Sequence, residues 1–158
     1  MLSMKIITVL FLYLSALSLQ AQKQSTPDFA ADCPCTLQVK QSANMADYSC
    51  NHFPFYATYK VQVERFPMGV PDGLTEEEHL QSYTADLVKK DLAPERVTFR
   101  DMPAVLYQVV EPLSAKQNII SDNIVFFSGG KRYTLIVTTV SGTRRTLFKD
   151  FSNSFEVR

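Results

Sequence analysis

The sequence carries no excess charge of either sign: sixteen Lys and Arg are matched by sixteen Asp and Glu. A nucleic-acid surface is a basic one, so this balance argues against that partner. Histidine is scarce, with only His52 and His79 present, which leaves little for general acid–base work. There is no Gly-x-Ser-x-Gly elbow, phosphate loop, His-Glu-x-x-His helix or calcium loop. Internal repeats and low-complexity segments are also missing. Acid–base pairs assembled from distant segments leave no trace in a sequence. The expectation of a non-catalytic protein therefore rests on missing motifs alone, and no cofactor is expected.

The N-terminal apolar run, Ile6 to Leu19, is shorter than the roughly 20 residues that span a bilayer. It follows Lys5 and ends at Leu19-Gln20-Ala21. That is the pattern of a secretory signal peptide over residues 1–21. It predicts a secreted or periplasmic protein with no stable membrane insertion after the leader is removed. Nearly half of the chain is apolar and a fifth charged, enough for a folded core in one domain.

Residues 22–55 read as a cysteine-containing N-terminal segment, with a loose lead-in over Gln22–Asp32, a weak strand at Thr36–Lys40 and an irregular stretch from Gln41 to Asn51. Pro54 marks its end. Residues 56–158 read as the folded domain. In Ala57–Phe66, Tyr59, Val61 and Val63 alternate with Lys60, Gln62 and Glu64, the period of a strand with one buried face. Pro67 to Gly73 breaks regular structure. Thr75–Asp91 reads as a helix opened by a Thr75/Glu78 capping box, with Leu80, Tyr83, Leu87 and Val88 on its apolar face and His79 on its wet face. Strands are expected at Arg96–Phe99 and Ala104–Val110, with a polar connection at Leu113–Asn118.

The final unit is the clearest. Asn123–Phe127 and Arg132–Val140 are strands around a Gly129-Gly130 turn, since glycine alone takes φ > 0 twice without steric cost. Leu147, Phe148, Phe151 and Phe155 then recur at helical spacing. The order β, β, α, β, β, β, β, α predicts an α+β fold, one antiparallel β-sheet covered by amphipathic helices.

Lys131-Arg132-Tyr133-Thr134-Leu135 after a glycine turn, followed by a helix with Phe148 and Phe151 and by Ser154-Phe155-Glu156-Val157, resembles the end of the PsbP-like α/β/α sandwich superfamily. The resemblance implies that sandwich, and for function a protein that binds partners. The superfamily includes a photosystem II extrinsic subunit, a Ran-binding nuclear import factor and small exported bacterial proteins. The segment before Pro54 has no counterpart in it.

Cys33-Pro34-Cys35 and Cys50-Asn51-His52 form the constellation with most chemistry. Three cysteines in an exported chain imply one disulfide and one thiol, either Cys35–Cys50 or Cys33–Cys50. Cys33–Cys35 is disfavoured, because one intervening proline leaves little freedom to reach disulfide geometry. A second reading is a metal site of Cys33, Cys35, Cys50 and His52, a ligand set suited to zinc or, through its thiolates, to Cu(I). Its one-residue spacings are shorter than usual for zinc. Lys131 and Arg132 with Arg144 and Arg145 make a small basic cluster, read as ordinary solvated positions. Overall the sequence predicts an exported binding or accessory protein for an unidentified protein or small ligand. Its groove is expected between the sheet and the Thr75–Asp91 helix.

Overall fold

The computed structural model describes residues 21–53, 56–66, 73–141 and 146–158. The predicted leader apart from Ala21, the Pro54 boundary, Pro67–Asp72 and the Arg144–Arg145 pair lie outside the described residues. The elements run β1 (Gln22–Ser25), β2 (Phe29–Cys33), β3 (Gln38–Gln41), β4 (Met45–His52), β5 (Ala57–Arg65), α1 (Glu76–Lys89), β6 (Glu95–Phe99), β7 (Met102–Ser114), β8 (Gln117–Ser128), β9 (Lys131–Val140), α2 (Leu147–Ser154) and β10 (Glu156–Val157). Seven strands form one antiparallel sheet in the order β3-β4-β5-β9-β8-β7-β6, and three form a second in the order β1-β2-β10.

The expected α+β sandwich, one antiparallel sheet covered by helices, is corrected by this arrangement. The protein is mostly β, with 57% of the described residues in strands and 19% in helices, and it has two antiparallel sheets. It is not an α/β/α sandwich. The physical reason lies in residues 22–51, where one weak strand, Thr36–Lys40, is expected between a loose and an irregular stretch and four strands form. β1 and β3 are polar edge strands, QKQS and QVKQ, with almost no buried side chain. In β4 the inward residues are Ala46, Tyr48, Cys50 and His52. They alternate as a strand should, but their small size or polar tips hide the alternation from a hydropathy reading. The polar connection expected at Leu113–Asn118 is also strand, closing the β7–β8 hairpin around Ala115 and Lys116.

The large sheet is buried on both faces near β8, and adjacent residues serve opposite faces. Phe126 faces a core with Tyr133, Leu135, Val61, Val63, Phe151 and Phe155, together with Phe29, Ala31 and Cys33 of β2. Val125 and Phe127 face a smaller core with Val105 and the α1 residues Leu80 and Leu87. So α1 covers only the β7–β8 part of one face. The second sheet and α2 cover the other face. On α1's side, β5 presents Thr58, Lys60, Gln62 and Glu64, all partly exposed.

The elements that the sequence defined best are present. Tyr59, Val61 and Val63 are buried as alternation requires. Gly129 and Gly130 sit at φ 60° and 71° between the paired residues Ser128 and Lys131. Phe126 and Tyr133, directly opposite across that hairpin, stack with ring centroids 5.2 Å apart. Phe151 packs edge-on against Tyr59 at 5.4 Å. On α1, Leu80 and Leu87 are buried while Val88 is exposed.

The two sheets are joined at Asp28, in the β1–β2 turn. Its carboxylate is almost fully buried, so it needs charged partners. Arg65 Nη2 donates to Oδ2 at 2.5 Å and Lys131 Nζ to Oδ1 at 3.1 Å. The Tyr48 hydroxyl donates to Oδ2 at 3.2 Å. The Asp28 carbonyl accepts from the Arg158 N–H at 3.1 Å and from the Tyr133 hydroxyl at 3.4 Å. Lys131 and Arg132, expected to be solvated, are both paired. Lys131 serves Asp28, and Arg132 meets Glu64.

Phe151→Ala empties a buried aromatic site and is expected to cost roughly 3–5 kcal/mol in urea unfolding. A loss below about 1 kcal/mol, the range of surface changes, would contradict this packing. Asp28→Asn keeps the shape but removes the charge, and is expected to cost about 3 kcal/mol, the low end for breaking a buried ion pair. Arg65→Ala should cost less than Asp28→Asn, because Lys131 still meets the carboxylate and Arg65 is about a third exposed.

Candidate functional site

Two places gather chemistry, a groove along α1 and a cluster of thiols at the end of β2. The groove exists because of how α1 is anchored. The Thr75 hydroxyl accepts from the Glu78 N–H at 3.2 Å, and the Glu78 carboxylate accepts from the Thr75 N–H at 2.7 Å. This is the expected capping box. The same Thr75 groups hold the Glu78 carboxyl below the usual carboxylate range. Glu76 accepts from the Gly130 N–H at 3.3 Å, which pins the helix start to the β8–β9 turn. That N–H, a possible element of a phosphate cradle, is therefore directed at a carboxylate.

From this anchor α1 leaves two adjoining hollows against β6 and β7. One, of about 330 Å³, is lined by Thr75, Glu76, Glu77, Leu80, Pro103 and Phe127. The next, of about 410 Å³, is lined by Glu77, Gln81, Thr84, Ala85 and Arg96. Glu77 stands between them and is paired with Arg96. The floor is apolar, through Leu80, Pro103 and Phe127, and the rim is charged. On the other flank of α1 the Tyr83 and Tyr107 hydroxyls lie 3.0 Å apart, with the Arg132 guanidinium 5.6 Å from the Tyr83 ring centre. Burial, and then the Tyr83 hydroxyl, push the Tyr107 phenol up.

Neither histidine lines these hollows. His52 is buried on β4, on the face that carries Cys50. His79 is half-buried on α1, its ring 6.0 Å from that of Phe127, instead of on the wet face. They belong to opposite sides of the large sheet and do not meet in one cleft.

The thiol cluster lies where the second sheet ends. Cys33 closes β2, Cys35 follows the Pro34 bend, and Cys50 faces them from β4. Cys35 and Cys50 form a disulfide, with Cα atoms 5.9 Å apart. Cys33 is a buried free thiol whose Sγ lies 3.1 Å from Cys50 Sγ. Burial pushes this thiol up to about 11, with a backbone hydrogen bond at Cys35 opposing the shift in part. All three Sγ atoms lie within 4.8 Å of one another, a spacing that can hold a metal ion, and His52 is outside that group. The bridge joins the second sheet to the first, at the opposite end of β2 from Asp28.

No family model matches the chain, and no curated protein matches it. Among solved structures, a protein from Bacteroides thetaiotaomicron is similar in fold, with a TM-score of 0.57 at 10% identity, over 88% of this chain and 49% of that protein. The chain thus spans about half the length of that structure. Nothing in these findings links it to the PsbP-like superfamily.

The sequence anticipated the position of the α1 groove but not its lining from β6–β8. Arg96, Pro103 and Phe127 come from separate strands and share no local motif. Asp28 was also missed, because a single aspartate in a polar lead-in carries no mark of burial.

Losing the bridge altogether should be costly. It closes a loop of fifteen residues, worth about 3 kcal/mol in the chain-entropy model. Cys50→Ser is therefore expected to lower unfolding free energy by roughly that amount, read by denaturant titration without reductant.

Proposed function

We propose that this is an exported, non-catalytic binding or accessory protein whose ligand lies along α1. The carrying observation is the paired hollow beside that helix. Its apolar floor of Leu80, Pro103 and Phe127 and its charged rim of Glu76, Glu77 and Arg96 match the make-up of ligand sites, which are mostly apolar with a few placed polar groups. The volumes suit a small molecule or two side chains of a bound peptide. Export is supported by the Cys35–Cys50 disulfide, which fits an oxidising compartment. No helix among the described residues is long and apolar enough to cross a membrane.

A second reading is a metal-binding protein. It is favoured by the three Sγ atoms within 4.8 Å, which in the reduced state would offer three thiolates to Cu(I) or zinc. The disulfide competes with it for two of the three ligands. Metal analysis with a thiol count, on protein prepared without reductant, separates the readings. One free thiol per chain and no metal would end the metal reading.

The groove is tested by following backbone amide resonances while a library of small acids, amines and short peptides is added. Shifts are expected at Glu77, Gln81, Thr84, Arg96 and Phe127. Ala85 is exposed on the groove wall, so Ala85→Trp should fill the hollow, leave the fold intact and weaken binding at least about tenfold, on the order of 1.4 kcal/mol. Ligand shifts located elsewhere, or unaffected by Ala85→Trp, would move the site off α1. Robust turnover of a substrate would overturn the non-catalytic reading.

A further inference from the structure

We propose that Cys50 is shared between two alternative disulfides, and that exchange between them makes Cys35 the modifiable thiol of this protein. Three observations carry this inference. Cys33 Sγ is 3.1 Å from Cys50 Sγ, already closer than two sulfurs rest in van der Waals contact. Cys33 is fully buried, whereas Cys35 is partly exposed. Finally, Cys33 and Cys35 are separated by one residue at the end of β2, and all three Sγ atoms lie within 4.8 Å of one another.

The step balances within the molecule. The Cys33 thiolate attacks Cys50 Sγ. The Cys33–Cys50 bond forms, the Cys35–Cys50 bond breaks, and Cys35 leaves as a thiolate that takes up the proton lost from Cys33. No oxidant or reductant is consumed. The product has the same number of disulfides and thiols, but the thiol has moved from the core to the surface. There it can meet a soft electrophile or a small disulfide R–S–S–R. In the latter case Cys35 attacks one sulfur, Cys35–S–R forms, and the other half leaves as R–SH. The burial of Cys33 disfavours its thiolate, so exchange is slow at neutral pH. The cluster then acts as a store of reactivity that is released over time.

The test uses the folded full chain without reductant. It is incubated with iodoacetamide, quenched in acid, digested with pepsin and mapped by fragmentation, which separates Cys33 from Cys35 at Pro34. The expected product carries the label on Cys35 with a Cys33–Cys50 disulfide. Label on Cys33 with Cys35–Cys50 intact, or no label at all, overturns the proposal. Cys33→Ala, which keeps the site apolar, is expected to lose labelling by at least about tenfold, whereas continued labelling of Cys35 would refute the exchange. Cys35→Ser, refolded with oxidised glutathione as the two-electron oxidant, is expected to form Cys33–Cys50, with no free thiol and near wild-type unfolding. A free thiol pair in that variant overturns the shared-partner geometry. A wild-type labelling rate that rises in step with global unfolding in urea would also overturn it, because the exchange belongs to the native state.

Discussion

The burial of one carboxylate, that of Asp28, organises the meeting of the two sheets. An ionised carboxylate removed from water costs several kcal/mol unless it is paired and hydrogen-bonded. Here three strands of the large sheet supply the compensation, through Tyr48 from β4, Arg65 from β5 and Lys131 from β9. The partners are spread across neighbouring strands, so they are satisfied together only when the β1–β2 turn sits in one place. That position then decides the packing next to it. Phe29 follows directly and lies between Tyr48, edge-on at 5.0 Å, and Phe155, stacked at 5.0 Å. Phe155 ends α2, and the next residues, Glu156 and Val157, pair with Ala30 and Phe29. A polar contact thus fixes the register in which an aromatic core is assembled.

The two faces of the large sheet divide the remaining work. On the Asp28 side, the second sheet and α2 cover the face and bury Tyr133, Leu135 and Val137 completely. On the other side, among the described residues, only α1 covers the sheet, and its two buried leucines lie over Val105, Val125 and Phe127. One helix is narrower than the sheet it lies on, so hollows remain along its flank. The remainder of that face can stay wet because β5 presents Lys60, Gln62 and Glu64 there. Incomplete cover is what makes the α1 side a candidate for ligands, and complete cover makes the Asp28 side structural.

What could be read from the sequence follows the size of each side chain. β5, the glycine hairpin, α1 and the Phe151 helix were legible because large apolar residues recur at the right period, or because glycine and capping residues have a local steric or hydrogen-bonding cause. β4 was not legible, although its alternation is as regular. Ala46, Cys50 and His52 are too small or too polar to register as an apolar stripe. β1 and β10 hold no local signal, since edge strands are defined by what they pair with, and β3 shows only the weak alternation of Thr36–Lys40. That error also produced the wrong architecture. With Gln22–Asp32 read as loose and Gln41–Asn51 as irregular, only helices are left to cover the sheet. The choice between Cys35 and Cys33 as the partner of Cys50 could not be made from spacing, because both cysteines lie at the same end of β2.

That last ambiguity is physical as well as interpretive. The two possible bridges span fifteen and seventeen residues. Loop-closure entropy scales with the logarithm of length, so the difference between them is only on the order of 0.1 kcal/mol. Both tether the end of β2 to β4, so they constrain the fold almost equally. The balance is then set by the thiol left over. A sulfhydryl is weakly polar and packs as a small hydrophobe, so leaving Cys33 free in the core costs little, and Cys35 can take the bridge at the edge. Loop closure therefore gives no reason to prefer one connectivity over the other, and the Cys33 and Cys50 sulfurs are already in contact. What holds the thiol at Cys33 is its burial, and that same burial sits one bond exchange away from a partly exposed cysteine.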